Sequence, residues 1–415
     1  FPRVSIVFKK IEAFPTDEQK PDSSIFAFDK VFFQFGLLEL IRGNYVLHTI
    51  DARNGKINLI HNKNGKKNYN IFNSNKNSND SLSSVLLNNI QLHNIKLSYQ
   101  HLANKGSARF LIDDLQIIGK IKGSNTKLKL KSSLLIQHIM TDELVLFSDQ
   151  KAKIQSDLSL TRKMIDITNA DINLGGLNLL LGGTYRYTDP SSIDLTFSGK
   201  KVNMEKFIHI WPLRIQETIS TYHPKGNVQF NGIIKGASPQ IQKPDIFVFF
   251  KINKGNIIIP EFQKINNVRL EGHFSNGRHN SAYSSYINLE KMEGSIQEGS
   301  VSGNLRLENL KNPYFKSKLK MSSNLAHLQK HFENKNFSEF SGHINGSVNL
   351  SGPLTNRFSM NRKTLNSLYV SGELFVLKAG FMFQDHPLSN INGKLNIHKN
   401  KDITINPVSF DIHDP

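Results

Sequence analysis

The feature that most constrains this chain is a two-residue alternation of apolar and polar side chains, which recurs from one end to the other. Val4, Ile6 and Phe8 alternate with Ser5, Val7 and Lys9; Val268, Leu270, Gly272 and Phe274 with Arg269, Glu271 and His273; Val408, Phe410 and Ile412 with Ser409, Asp411 and His413. Only an extended strand places every second residue on one face, so such segments are half-buried strands with one dry face and one wet face. That pattern suits an antiparallel sheet open to water on one side. Helical spacing is rare. Residues 203–219, with Met204, Phe207, Ile208, Trp211 and Ile215, predict one helix, broken near Pro212, and 325–332 predict another. A short turn is expected at Leu37 to Ile41. Each would brace the sheet rather than form a layer over it.

At 415 residues, the chain is too long for one ordinary compact core. Only 38% of it is hydrophobic, yet it holds 28 Phe, so apolar surface is present but thinly spread, as a thin elongated sheet requires. The formal charge of +18 is scattered: lysines alternate with apolar residues, as in Lys127-Leu128-Lys129-Leu130-Lys131. This is the mark of a solvated strand face rather than of a nucleic-acid patch. The absence of cysteine excludes a disulfide framework, a thiolate metal site and a thiol nucleophile. No stretch approaches the eighteen apolar residues of a membrane-spanning helix, and the numbering begins at Phe1 rather than Met, so the chain is expected to be a soluble piece of something longer.

Turn residues punctuate the alternation: Asn54-Gly55, Asn64-Gly65, Asp189-Pro190 and Asn312-Pro313 are expected between strands, whereas Asn392-Gly393 falls within one. Residues 73–84 are almost entirely Asn, Ser, Lys and Asp and predict a flexible loop. A long repeat emerges in the second half. Residues 226–236 parallel 342–352, residues 267–274 parallel 390–397, and residues 183–187 parallel 303–307, a spacing that suits a multi-strand module with one crossing helix. The expected organisation is an N-terminal β module (1–72), the loop (73–84), a middle β module (85–224) with the helix near 203–219, a β repeat (225–340) with the helix near 325–332, and a second, incomplete repeat (341–415).

Residues 1–72 carry a family resemblance. Residues 2–11 open with a strand, 27–35 supply a second, and Leu37-Leu38-Glu39-Leu40-Ile41-Arg42-Gly43 follows directly. Two further strands, 44–50 and 57–60, lead to Gly65-Lys66-Lys67-Asn68-Tyr69. This order resembles the AsmA family, the AsmA- and TamB-like bridge proteins of the Gram-negative envelope. The resemblance implies an inner-membrane anchor upstream, a periplasmic body, and a long twisted sheet curled around an apolar trough that carries phospholipid or another acyl-chain lipid between the two membranes. Outer-membrane or other envelope proteins are the further partners it implies.

Catalytic constellations are sparse. The chain has no Gly-x-Ser-x-Gly elbow, no phosphate-binding Gly-x-x-x-x-Gly-Lys loop and no dinucleotide turn, so neither an enzyme nor a cofactor is expected. His327 and His331 stand four apart, but Leu328 occupies the place of a zinc peptidase's Glu, and no metal site is expected. Asp113-Asp114 interrupts the strand-like run 110–117 and reads as a bulge. Phe247, Phe249, Phe250, Phe381 and Phe383 have strand spacing and read as core rather than as a base-stacking platform.

What remains is an accounting problem. One apolar face per strand, with two or three helices in all, must meet another sheet, a partner or a ligand. A dry sandwich is one solution; an acyl chain is another, at about 0.8 kcal/mol for each CH₂ buried. The residues expected to line a lipid groove are Val4, Ile6, Phe8, Leu128, Leu130, Val268, Leu270, Phe274, Ile391, Leu395, Ile397, Val408 and Phe410. The competing function is a structural or assembly factor for outer-membrane proteins, acting through exposed strand edges.

Overall fold

A computed structural model of the chain describes residues 3–15, 24–43, 46–69, 87–103, 105–121, 125–141, 144–188, 190–209, 213–237, 243–259, 264–327, 337–354, 367–384, 386–398 and 402–412. The fold is all-β, as the alternation requires. Twenty strands and a few short helices form among these residues, and the sheet is not closed. The expected loop at 73–84 lies outside the described residues.

The chain divides into two compact units, the first built mainly from residues 1–199 and the second mainly from 245–415. In the first, strands β1 (Arg3–Ala13), β2 (Phe26–Gly36) and β3 (Leu47–His61) form an antiparallel meander, with helix α1 (Leu37–Ile41) between the last two. Strand β4 (Leu87–His101) then runs parallel to β3. A parallel neighbour needs a crossover rather than a hairpin, and the long 62–86 connection supplies the necessary length. Antiparallel pairing resumes through β5 (Gly106–Ile121), β6 (Asn125–Thr141), β7 (Leu144–Thr161), β8 (Met164–Leu174), β9 (Leu177–Arg186) and β10 (Ser192–Asn203).

Helices α2 (Met204–His209) and α3 (Leu213–Ser220) follow and precede β11 (Lys225–Ala237); the break expected at Pro212 falls on residues 210–212, outside the described residues. The second unit is an antiparallel meander of β12 (Asp245–Ile258), β13 (Lys264–Ser275), β14 (Tyr286–Ile296), β15 (Gly299–Glu308), β16 (Tyr314–Asn324), β17 (Phe337–Pro353), β18 (Tyr369–Phe383), β19 (His386–Ile397) and β20 (Ile403–Ile412). The helix expected at 325–332 is a single 3₁₀ turn, Leu325–His327, as far as the described residues reach.

Asn54-Gly55 corrects the sequence reading. It does not separate two strands at 44–50 and 57–60; it lies inside the continuous β3. Asn54 takes φ +51 and the strand continues through it, because Asn tolerates the left-handed region and its side-chain oxygen accepts a 2.9 Å hydrogen bond from the Asn94 amide of the neighbouring strand, where Asn94 repeats the conformation at φ +55. Asn64-Gly65, by contrast, forms the expected turn, closed by a bond from the Gly65 N–H to the Asn62 carbonyl. Asn312-Pro313 falls between strands, and Asn392-Gly393 within one.

The repeat extends to backbone irregularities. Residues 183–187, 226–236 and 267–274 fall in β9, β11 and β13, and their counterparts in β15, β17 and β19, six strands later each time. Asn267 and Asn390 are both left-handed, at φ +52 and +51. Between β12 and β13 the register breaks at Ile252/Gly255 and Gly255/Ile257; between β18 and β19 it breaks at the matching Val376/Ala379 and Ala379/Phe381. Glycine is required at one such matched pair. Gly183 (φ +122) and Gly303 (φ +157) occupy corresponding sites, and a Cβ at either would collide with a carbonyl oxygen of the next strand, Asp194 or Lys318. Gly303→Ala is therefore expected to lower the unfolding free energy by about 1–3 kcal/mol, while Ser302→Ala beside it shifts it by less than about 0.5 kcal/mol. Urea unfolding of the two variants checks this.

Candidate functional site

Register turns the alternation into continuous surfaces. In the first unit, Ile6 pairs with Phe33, Phe33 with Ile50, Ile50 with Ile90, Ile90 with Ile117 and Ile117 with Leu130. The row continues through Ser156, Ala170 and Leu181 to Phe197. It crosses all ten strands of the unit with Ser156 as its single polar member. Beside it runs a second row: Phe8, Val31, Ala52, Leu92, Leu115, Ser132, Ile154, Ile172 and Leu179. Val4, Ile6, Phe8, Leu128 and Leu130, five of the expected groove residues, all stand on this face. Sequence alone did not show Ile50, Ile90 and Ile117 to be their neighbours, since only pairing reveals which alternating residues line up.

The second unit repeats the arrangement. Ile252, Leu270, Met292, Gly303, Leu319, Val348, Gly372, Ile397 and Ile403 form one row from β12 to β20. Val248, Phe274, Ile287, Leu307 and Phe315 form another. Leu270, Phe274 and Ile397 thus stand on one apolar face, with Leu395 between Leu374 and Ile405. Val268 packs with Ile265 and Ile296, and Ile391 against Ala379 and Ile344, so these two are core residues as well as members of the face. Val408 lies on β20 and is 41% exposed; the Phe410 side chain lies outside the described residues.

Little covers these faces. Helix α1 buries none of its residues and α2 only Ile208, so neither packs down as a second layer. Ala52, Ala152 and Ala170 are buried by the neighbouring rows, but Phe33, Ile50, Ile90, Ile117 and Leu130 are only half-buried. In the first unit the face is more open at β1, where Ile6 and Phe8 are each 48% exposed; in the second it is more open at β20, where Ile403 and Ile405 are 60% and 58% exposed.

The opposite face of β3, β4 and β5 carries a polar cluster. Ala52 and Gly55 both lie on the apolar side, so the left-handed turn at Asn54 leaves Arg53 and Asn54 together on the other; His93 and Asn94 repeat this on β4. Asp114 joins the row across a register shift at Ile112/Asp114, the bulge expected at Asp113-Asp114. Arg53 donates to both carboxylate oxygens of buried Asp51, through Nε at 3.1 Å and Nη2 at 2.6 Å, and lies over the Phe32 ring. His93 links Asp51 (3.6 Å) to Asp114 (2.9 Å). Asp114 is thereby engaged in an ion-pair network of the sheet. Because Asp51 is desolvated while Arg53 is half exposed, Asp51→Ala is expected to cost about 1–3 kcal/mol in a thermal or urea melt.

His61 and His101 are buried beside each other at the ends of the parallel pair, ring centroids 4.2 Å apart. Burial first, then the charges of His101 and Lys67, depress the His61 pKa below its ordinary 6.5; burial, with Arg109, does the same at His138. The unfolded chain therefore takes up protons more readily than the folded one. Stability is expected to be full above pH 6.5 and to fall as the pH drops through the depressed values, with a shallower fall in His61→Gln. Unfolding curves between pH 7.5 and 5, in steps of about half a unit around the reference His value, measure it.

His327 closes the 3₁₀ turn 3.6 Å from Glu298, while Leu328 and His331 lie outside the described residues. No cluster of three or more potential metal ligands occurs among the described residues. Phe250 faces the apolar side, paired with Gly272, and Phe381 and Phe383 pack on Phe337. Phe247 and Phe249 correct the core reading: they are 42% and 37% exposed, because odd-numbered positions of this stretch fall on the polar face. Comparison of the chain with protein families, with curated proteins and with solved structures finds no match. No helix among the described residues is long and apolar enough to cross a membrane.

Proposed function

We propose that this protein binds acyl-chain lipid along its apolar sheet face and carries it as a periplasmic bridge between inner and outer membrane, without catalysing a reaction. The observation that carries the reading is the ten-strand row from Ile6 to Phe197, apolar but for Ser156, on a face over which neither α1 nor α2 forms a layer among the described residues. A chain of methylenes fits such a face, since it offers apolar contact without hydrogen-bonding groups, and each CH₂ removed from water contributes about 0.8 kcal/mol. Nine strand spacings of about 4.8 Å allow a lipid to move from strand to strand past apolar positions of the same row. The envelope setting, the anchor and phospholipid as cargo rest on the AsmA-like order of elements in residues 1–72. One observation favours the assembly-factor reading instead: Val7, on the other face of β1, is also 42% exposed, so that strand is apolar on both sides.

A photo-crosslinking amino acid placed on one face or the other separates the two. At Ile6, Phe8, Ile403 or Ile405 it should form adducts with phospholipid in cells, and at Val7 or Phe249, of comparable exposure but opposite facing, it should not. Equal lipid labelling of both sets, or protein adducts alone, would remove the lipid reading.

A further inference from the structure

The polar face of the second unit carries a hollow that the lipid reading does not use. It has a volume of about 900 Å³ and spans β14 to β18. Two cross-strand rows line it. In the first, Asn288 pairs with Arg306, Arg306 with Lys316, Lys316 with Ser351 and Ser351 with Tyr369. In the second, Asn304 pairs with Lys318, Lys318 with Asn349 and Asn349 with Ser371. Four strand spacings make the hollow about 19 Å wide, too broad for a single ion. Its presence on the polar side is compatible with an apolar binding face behind it, because a twisted sheet is saddle-shaped and has a concave direction on each side.

Its charge is arranged for an anion. Beside the hollow, outside its lining, Glu308 accepts from Arg306 Nε at 2.7 Å and from Lys316 Nζ at 3.2 Å, and these cations hold it below the usual carboxylate range; the one carboxylate in the lining itself is Glu290. Glu290 faces His273 at 3.1 Å. Lys318, and Lys320 two residues along the same strand face, have no carboxylate partner among the described residues. Arg306 is fixed by stacking on Tyr286, 4.5 Å from the ring centre, and by Glu308, so its remaining guanidinium donors are held in place.

The neutral lining narrows the ligand further. Three Asn side chains and three Ser hydroxyls both donate and accept, which suits a ligand rich in hydroxyl groups. The Tyr369 ring, 63% exposed at one side of the hollow, offers a flat apolar face to the C–H side of a sugar ring. A single well-exposed ring in the lining does not provide the successive stacking platforms by which single-stranded nucleic acids are held.

We infer that the hollow between β14 and β18 is a binding site for an anionic oligosaccharide, with Lys318 and Arg306 at its acidic groups, the Asn and Ser side chains at its hydroxyls and Tyr369 stacked on a ring. The site is independent of lipid on the opposite face.

Titration calorimetry with tetragalacturonate as probe tests this, with maltotetraose as the neutral control and an eight-residue oligothymidylate as the nucleic-acid control. Tetragalacturonate should bind and weaken as salt rises, and neither control should match it. Lys318→Ala and Tyr369→Ala should each reduce its affinity about tenfold, the loss expected for one charge-assisted or stacking contact. Neither residue makes a described ion pair, so both variants should melt like the parent. Lys378→Ala, which removes an equal charge from a left-handed β18 position outside the hollow, should leave binding unchanged. Absence of tetragalacturonate binding, an equal loss in Lys378→Ala, or tighter binding of the oligothymidylate would each overturn the inference.

Discussion

Everything in this architecture follows from a sheet whose apolar face is not matched by a second layer. A β-strand with alternating side chains has two surfaces of different character, and the usual solutions cover the dry one with helices or with another sheet. Here the described helices are too short and too little buried to do so: α1 contributes no buried residue and α2 one. The chain instead lays its apolar residues in long rows, buries the small ones such as Ala52 and Ala170 between strands, and leaves Phe33, Ile50, Ile90 and Ile117 half-buried. Cohesion then comes from continuous backbone pairing and from side-chain contacts between neighbouring rows, with small clusters such as Ile265, Val268 and Ile296, or Leu325, Ile344 and Ala379, among the described residues of the second unit.

The same constraint explains the irregularities. A sheet that stays one layer thick has to twist and bend, and the bending is concentrated at positions where residues such as Asn54, Asn94, Lys254, Asn267, Lys378 and Asn390 take positive φ within strands. At Asn54, Asn94, Lys254, Asn267 and Asn390 this sets two consecutive polar residues on one face where strict alternation would return an apolar one; at Lys378 the preceding residue is Leu377. The recurrence of the register breaks of β12–β13 in β18–β19 shows that this bending pattern belongs to a six-strand module and is used again. The ion-pair network of Asp51, Arg53, His93 and Asp114 sits on the outer side of such a row, where it joins three strands without entering the apolar face.

Much of this was legible in the residues. Alternation gave the strands and the face of Val4, Ile6, Phe8, Leu128 and Leu130, because period two is a local property. The bulge at Asp113-Asp114 was equally local. Asn54-Gly55 misled because the same conformational freedom that lets Asn close a hairpin also lets it bend a strand that continues, and the choice depends on Asn94 in a strand 40 residues away. The parallel pairing of β3 with β4 and the alignment of Ile50 with Ile90 are likewise non-local. The hollow lined by Arg306, Lys318 and Tyr369 left no motif, since its members come from separate strands and meet only through register.

The central claim is that the apolar rows are open to a ligand rather than sealed. The chain contains no cysteine, so a single one can be placed at Ile50, Ile117 or Leu181 and its reaction with a small maleimide followed in the folded protein. If the face is open, all three positions should label without unfolding in delipidated protein and become protected when phospholipid is restored. Cysteines that react only after denaturant is added would show a closed interior and contradict the account.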